Sequence, residues 1–71
     1  MQTKRKKIKF TDKEKQVLEL ISYGWTSSEI SEQIQVSYAN IQATIRRMLD
    51  KSDSANRTSL VRYGFEQGYL K

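Results

Sequence analysis

Seventy-one residues leave room for one small core, and a chain of this length buries only about 60% of the surface it exposes unfolded. Hydrophobic residues at 37% and charged residues at 30% describe an ordinary globular composition. The absence of Cys and His removes disulfides, thiolate metal sites, the commonest general base and the commonest metal ligand. No stretch approaches the roughly 18 continuous apolar residues of a membrane span, and the first residues lack the apolar core of a secretion signal. Thirteen Lys and Arg oppose eight Asp and Glu, a net charge of +5. Five of those bases, Lys4, Arg5, Lys6, Lys7 and Lys9, fall within residues 1–9, so the remainder is net neutral. Residues 1–9 therefore read as a basic tail or the end of a linker, and residues 10–71 as one domain. Such a run is commonly just a solvated arm. Its functional readings are salt-sensitive attraction to phosphate or, less specifically, a nuclear-localisation signal.

After the tail, Thr11 and Glu14 form a capping box: the hydroxyl accepts an N-terminal amide and the carboxylate reaches back. Val17, Leu18, Leu20 and Ile21 follow at helical spacing, and Gly24 can take the positive φ that ends a helix, giving a first helix over 12–23. A second capping box, Thr26 with Glu29, opens a helix over 27–34 through Ile30 and Ile34. Val36 and Ser37 break the pattern, and Ser37 caps a third helix over 38–51 with Ile41, Ile45, Met48 and Leu49 as apolar positions. Asn56 caps a fourth over 57–67, where Leu60, Val61, Gly64 and Phe65 mark one face. Gly68 ends that helix and lets Tyr69 and Leu70 fold back. The expected architecture is all-α, a four-helix bundle whose short second helix, tight turn and longer third helix have helix-turn-helix spacing. A purely structural bundle shares that spacing.

At about 100° per residue, Ile41, Ile45 and Met48 fall within roughly 60° and must face the core. The opposite face holds Ala39, Ala43, Arg46 and Asp50, flanked by Asn40 and Arg47 on one side and Gln42 on the other. Small Ala residues let a helix axis approach another surface closely. Asn, Gln and Arg carry donors and acceptors that match base edges and phosphates. Each is also an ordinary exposed helix residue, and Arg46 or Arg47 could pair with Asp50. Glu29 reads as structural, favouring the second helix's dipole and pairing with Arg57. Trp25 reads as packing between the first two helices, or as the lining of a partner surface.

From Phe10 to Leu70 the sequence resembles the LuxR/GerE-type bacterial DNA-binding domain. The resemblance rests on Thr11, Glu14, Val17, Leu18, Leu20, Ile21 and Gly24, then Thr26, Glu29, Ile30, Ile34, Val36 and Ser37. It continues through Ile41 and Lys51 to Arg57, Thr58, Leu60, Val61 and Gly68. It implies a bacterial transcription regulator or response-regulator output domain, acting in the cytoplasm on the nucleoid. It also implies that the third helix lies in the major groove and that the fourth helix forms a homodimer. Base contacts would fall on Gln42, Ala43 and Arg46, and phosphate contacts on Ser28, Ser37, Asn40, Thr44, Arg47 and Lys51. Gln42 would pair with adenine, Arg46 with guanine or a phosphate, and Ala43 with a thymine methyl. Tyr63, Phe65 and Tyr69 would form the dimer contact. The family often carries an N-terminal receiver or ligand-binding domain, which would be a further partner. No cofactor or metal is implied.

The departures are specific. Where the family usually has Thr this chain has Asn40, and where it has His the chain has Thr44. Basic residues at Ser28 and Gln42 are missing. An apolar residue, a Gly and another apolar residue are replaced by Ser52, Asp53 and Ser54, which predicts a loose or differently packed junction there. The alternative of another class is a protein-interaction module that kept this fold and lost productive DNA contacts. An enzyme has almost nothing in its favour: no His, no Cys, no glycine-rich phosphate loop and no convergent carboxylates. A sigma-factor promoter-reading domain would not account for the helix from Arg57 to Gly68.

Overall fold

The computed structural model describes residues 9–71. The expected tail contacts at Lys4, Arg5, Lys6 and Lys7 lie outside the described residues. Four helices run in chain order: α1 (Asp12–Ser22), α2 (Ser27–Ile34), α3 (Tyr38–Ser52) and α4 (Arg57–Glu66). Among the described residues no helix is long and apolar enough to cross a membrane.

Each helix starts on the side chain anticipated for it. Thr11 Oγ1 accepts from the Glu14 amide at 3.1 Å while Glu14 Oε1 accepts from the Thr11 amide at 2.8 Å. The Thr26 and Glu29 pair repeats the arrangement at 3.1 and 2.8 Å. Ser37 and Asn56 cap α3 and α4 by accepting from the amides of Asn40 and Ser59. These bonds satisfy amides that a helix otherwise leaves without partners. At the other ends Gly24 and Gly68 take φ of +93° and +82°, where a side chain would be strained.

The core gathers Phe10, Val17, Leu18, Ile21, Ile30, Ile41, Ile45, Met48, Leu60 and Leu70. α3 packs on α1, α2 and α4, so its inner stripe fills the centre of the domain. Gly64 allows α1 and α4 to approach: a Cβ there would lie 2.9 Å from Leu18 Cδ2 and 2.8 Å from Leu70 Cδ1. Leu70 folds back as expected, and Trp25 packs half-buried against the core.

One expectation requires correction. Phe65 is 52% exposed and does not share the inner face of α4. That face is set by Leu60 and Gly64, and one further residue turns about 100° away from Gly64. Tyr63 and Tyr69 are half-buried. They pack on Phe10, with ring centroids 5.8 and 5.0 Å away, and the Tyr69 ring is stacked on it.

The junction after α3 is packed differently, as its sequence suggested. Ser52 Oγ donates to the Met48 carbonyl at 2.8 Å and lies 2.6 Å from Ser54 Oγ. The Ser54 amide bonds back to the Leu49 carbonyl at 2.9 Å. The hydroxyls thus find partners locally instead of being buried unsatisfied. Asp53 closes the helix in the left-handed region, at φ 56° and ψ 40°. A non-glycine residue is strained there, although Asp tolerates it better than most. Asp53→Gly is expected to raise stability by about 0.5 to 1 kcal/mol, a few degrees in Tm, the relief being partly offset by a freer unfolded chain. Thermal unfolding checks this; an unchanged or lower Tm would mean that the aspartate side chain compensates the strain.

Candidate nucleic-acid interface

The surface that α3 leaves uncovered is the one anticipated. Tyr38, Ala39, Asn40, Gln42, Ala43, Arg46, Arg47 and Asp50 are all exposed, while Ile41, Ile45 and Met48 are buried beneath them. Ala39 and Ala43 leave the middle of this face low, with Arg46 beside them. Neither arginine forms an ion pair with Asp50: among the described residues the ion pairs are Lys51–Glu14 and Arg62–Glu66. Their positive charge therefore faces outward.

Both edges of the face are fastened to the helices alongside. On the α1 side, Lys13 Nζ donates to Asn40 Oδ1. On the α2 side, Ser27 Oγ donates to Gln42 Oε1 at 2.7 Å, and Arg57 Nη2 donates to the same Ser27 Oγ at 2.5 Å. Arg57 therefore serves Ser27, correcting the pairing expected with Glu29, whose carboxylate is taken by the Thr26 amide of its own capping box. The α2–α3 turn is set by Gln35, which stops α2 in the left-handed conformation at φ 58° and ψ 49°. Ser28, on α2, and Ser37, at the α3 cap, are exposed.

Two of the residues expected at phosphates have structural work in the fold. Thr44 is 2% exposed and its hydroxyl donates to the Asn40 carbonyl at 2.8 Å, so it is not presented to a ligand. Its place on α3, 100° before Ile45 on the inward side, is what buries it. Lys51 turns toward α1, where its ammonium donates to Glu14 Oε1 at 2.7 Å and to the Lys9 carbonyl at 3.1 Å. Lys9 itself is exposed at the start of the described chain. Phe65 is the expected dimer residue that the surface leaves open.

Lys13, Ser27 and Arg57 were not among the expected interface residues. Ser27 looked like an unremarked first helical residue. The contact it makes spans 15 residues to Gln42, and that from Lys13 spans 27 residues to Asn40. No local pattern carries such pairings. Tyr38, exposed on the same face, was not singled out in the sequence either.

Glu14 ties the face to the rest of the molecule. Burial pushes its carboxyl up, but the Lys51 hydrogen bond, the Thr11 amide, the Lys51 charge and the more distant Arg47 charge together hold it below the usual carboxylate value.

A short helix, a left-handed turn and a second helix with an open polar face, held by a first and a fourth helix, make a helix-turn-helix domain of the DNA-binding, transcription-regulating class. The chain belongs to the luxR family of bacterial regulatory proteins, whose model matches residues 9–64. It is similar to response regulator Rre1 of Synechocystis sp., 36% identical over 62 residues, covering 87% of this chain and 27% of that protein. The probable transcriptional regulator ycf29 of Pyropia yezoensis is 38% identical over 64 residues, covering 90% and 29%. The transcriptional regulatory protein DesR of Bacillus subtilis is 31% identical over 61 residues, covering 86% and 31%. The chain thus spans about three tenths of the length of the curated relatives it matches. The family and the names of these relatives are those of transcription regulators and not of enzymes.

Because the folded carboxyl titrates below its ordinary value of 4.5, Glu14 adds stability that is complete above that pH and is lost as pH falls through the lower folded value. Glu14→Gln is expected to flatten the loss of stability below pH 4.5. Lys51→Met leaves the carboxylate with the Thr11 amide as its remaining partner and is expected to cost about 1 to 3 kcal/mol near neutral pH. Urea unfolding across pH measures both. A Glu14→Gln profile parallel to that of the wild type would assign the acid sensitivity elsewhere.

Proposed function

We propose that this domain reads duplex DNA sequence-specifically, with α3 in the major groove, as the output domain of a bacterial regulator working on the nucleoid. The observation that carries this reading is the open face of α3. Ala39 and Ala43 give close approach, Arg46 and Arg47 are unpaired by acids, and no acid appears before Asp50. Gln42, Ala43 and Arg46 would meet base edges, since they occupy the middle and the α2 edge of that face. Ser28, Ser37, Asn40 and Arg47 would meet phosphates, joined by the basic residues Lys4, Arg5, Lys6, Lys7 and Lys9. The body of the domain is close to neutral, so this tail would supply much of the sequence-independent attraction.

Dimerisation on a two-fold site would use α4 through Phe65. Its exposure suits a partner surface, and Tyr63 and Tyr69, half-buried against Phe10, would join the contact through the parts they leave open. The name of the relative Rre1 favours a receiver domain as the source of input, in a polypeptide longer than this chain.

A second reading, a protein-interaction module on the same fold, is favoured by the engagement of Asn40 and Gln42 with neighbouring side chains and by the neutral body.

The two readings separate in solution. For DNA reading, deleting residues 1–9 should weaken binding to a mixed-sequence duplex and make its salt dependence shallower by about 4, yet leave measurable affinity. Arg46→Ala should then cost about 1 to 3 kcal/mol of the affinity that remains. Retention on DNA that vanishes with the tail would sink the DNA-reading proposal and leave the interaction module. For the dimer, Phe65→Ser should leave Tm nearly unchanged, weaken binding to a duplex with two half-sites and spare a single half-site. Equal loss on both duplexes would remove α4 from the dimer contact.

A further inference from the structure

The hydrogen-bond chain from Arg57 through Ser27 to Gln42 has a direction. A guanidinium can only donate, and Arg57 Nη2 donates to Ser27 Oγ. Ser27 is 4% exposed, so its own proton needs a protein acceptor, and that acceptor is Gln42 Oε1. The oxygen of the Gln42 carboxamide is thus turned toward α2, and the NH2 group is left for the open side of α3. A free glutamine pairs with adenine because its oxygen takes the N6 proton while its nitrogen donates to N7. A glutamine whose oxygen is already engaged has only donors to offer. The base with two major-groove acceptors and no donor among the purines is guanine, at O6 and N7.

We propose that Arg57 and Ser27 act as positioning residues that fix the polarity of Gln42, so that Gln42 selects guanine in place of adenine. The inference rests on the DNA-reading function proposed above and deepens it. It also replaces the adenine pairing that a free glutamine on this face would imply. Arg57, at the start of the helix after α3, thereby acts on base choice without approaching the DNA.

The test is selection of duplexes from a randomised library by the full chain, compared with Ser27→Ala and Gln42→Ala. The base pair read by Gln42 is the one whose preference disappears in Gln42→Ala. The wild type is expected to enrich guanine there about tenfold over adenine. Ser27→Ala frees the carboxamide to turn over and is expected to bring adenine level with guanine at that one pair, leaving the rest of the site unchanged. Enrichment of adenine by the wild type, or a preference unmoved by Ser27→Ala, would overturn the inference alone. No enriched sequence at all would overturn the DNA-reading function and this inference with it. A second measurement needs neither a variant nor DNA: nitrogen-15 relaxation of the glutamine side-chain amides. Gln42 is expected to be as rigid as the backbone of α3, while exposed Gln33 and Gln67 are mobile. A Gln42 amide as mobile as these would also overturn the proposal.

Discussion

A carboxylate removed from water is tolerated only beside a positive charge and hydrogen-bond donors that replace its solvation. Glu14 has both, from the Lys51 ammonium at 2.7 Å and the Thr11 amide at 2.8 Å. One side chain thus closes the N-terminal cap of α1 and pins the last turn of α3. Lys51 also reaches the Lys9 carbonyl and lies 5.8 Å from the centre of the Phe10 ring. The segment entering α1 and the end of α3 are therefore held by one polar knot at the edge of the apolar core. The open face of α3 is thus tied to α1 by that knot, alongside Ile41, Ile45 and Met48 beneath it.

With α3 fixed, its two margins take their character from neighbours on opposite sides. α1 supplies Lys13 to Asn40, and α2 supplies Ser27 to Gln42. Side chains already held by a neighbour lose less freedom on binding than free ones do. They also lose choice, because a hydrogen bond made inside the protein is one not offered outside. The centre of the face is different: Ala39 and Ala43 have nothing to orient, and Arg46 is long and unpaired. A margin hydrogen-bonded to its neighbours surrounds a middle that is not.

What the sequence revealed follows the range of the interactions concerned. Capping boxes at Thr11 and Thr26, caps at Ser37 and Asn56, and the stops at Gly24 and Gly68 involve residues within a few positions of one another. All were legible. The inner stripe of α3 was legible because Ile41, Ile45 and Met48 repeat at helical spacing. On α4 the stripe is weak, with Gly64 as one of its markers, and Phe65 was drawn inward by adjacency when it points out. The polar run Ser52, Asp53 and Ser54 read as missing core contacts; which bonds would replace them required the backbone. Thr44 looked like a contact by its position in a family pattern, and burial removed it. Ser27 to Gln42 and Lys13 to Asn40 join different helices, so they became visible only once the helices were placed.

Phe10 lies just before the first helix and Tyr69 just after the last, and their rings stack at 5.0 Å. The described chain therefore returns to where it started, and its path is close to a closed loop. In a closed loop the order in which the helices are written is a convention more than a structural necessity. A circularly rearranged chain, with these ends bridged and new ones opened in the polar turn at Ala55, would keep every helix against the same neighbours. The arrangement in space is held by the stack, the polar knot and the shared core, and much less by the direction in which the chain runs through them.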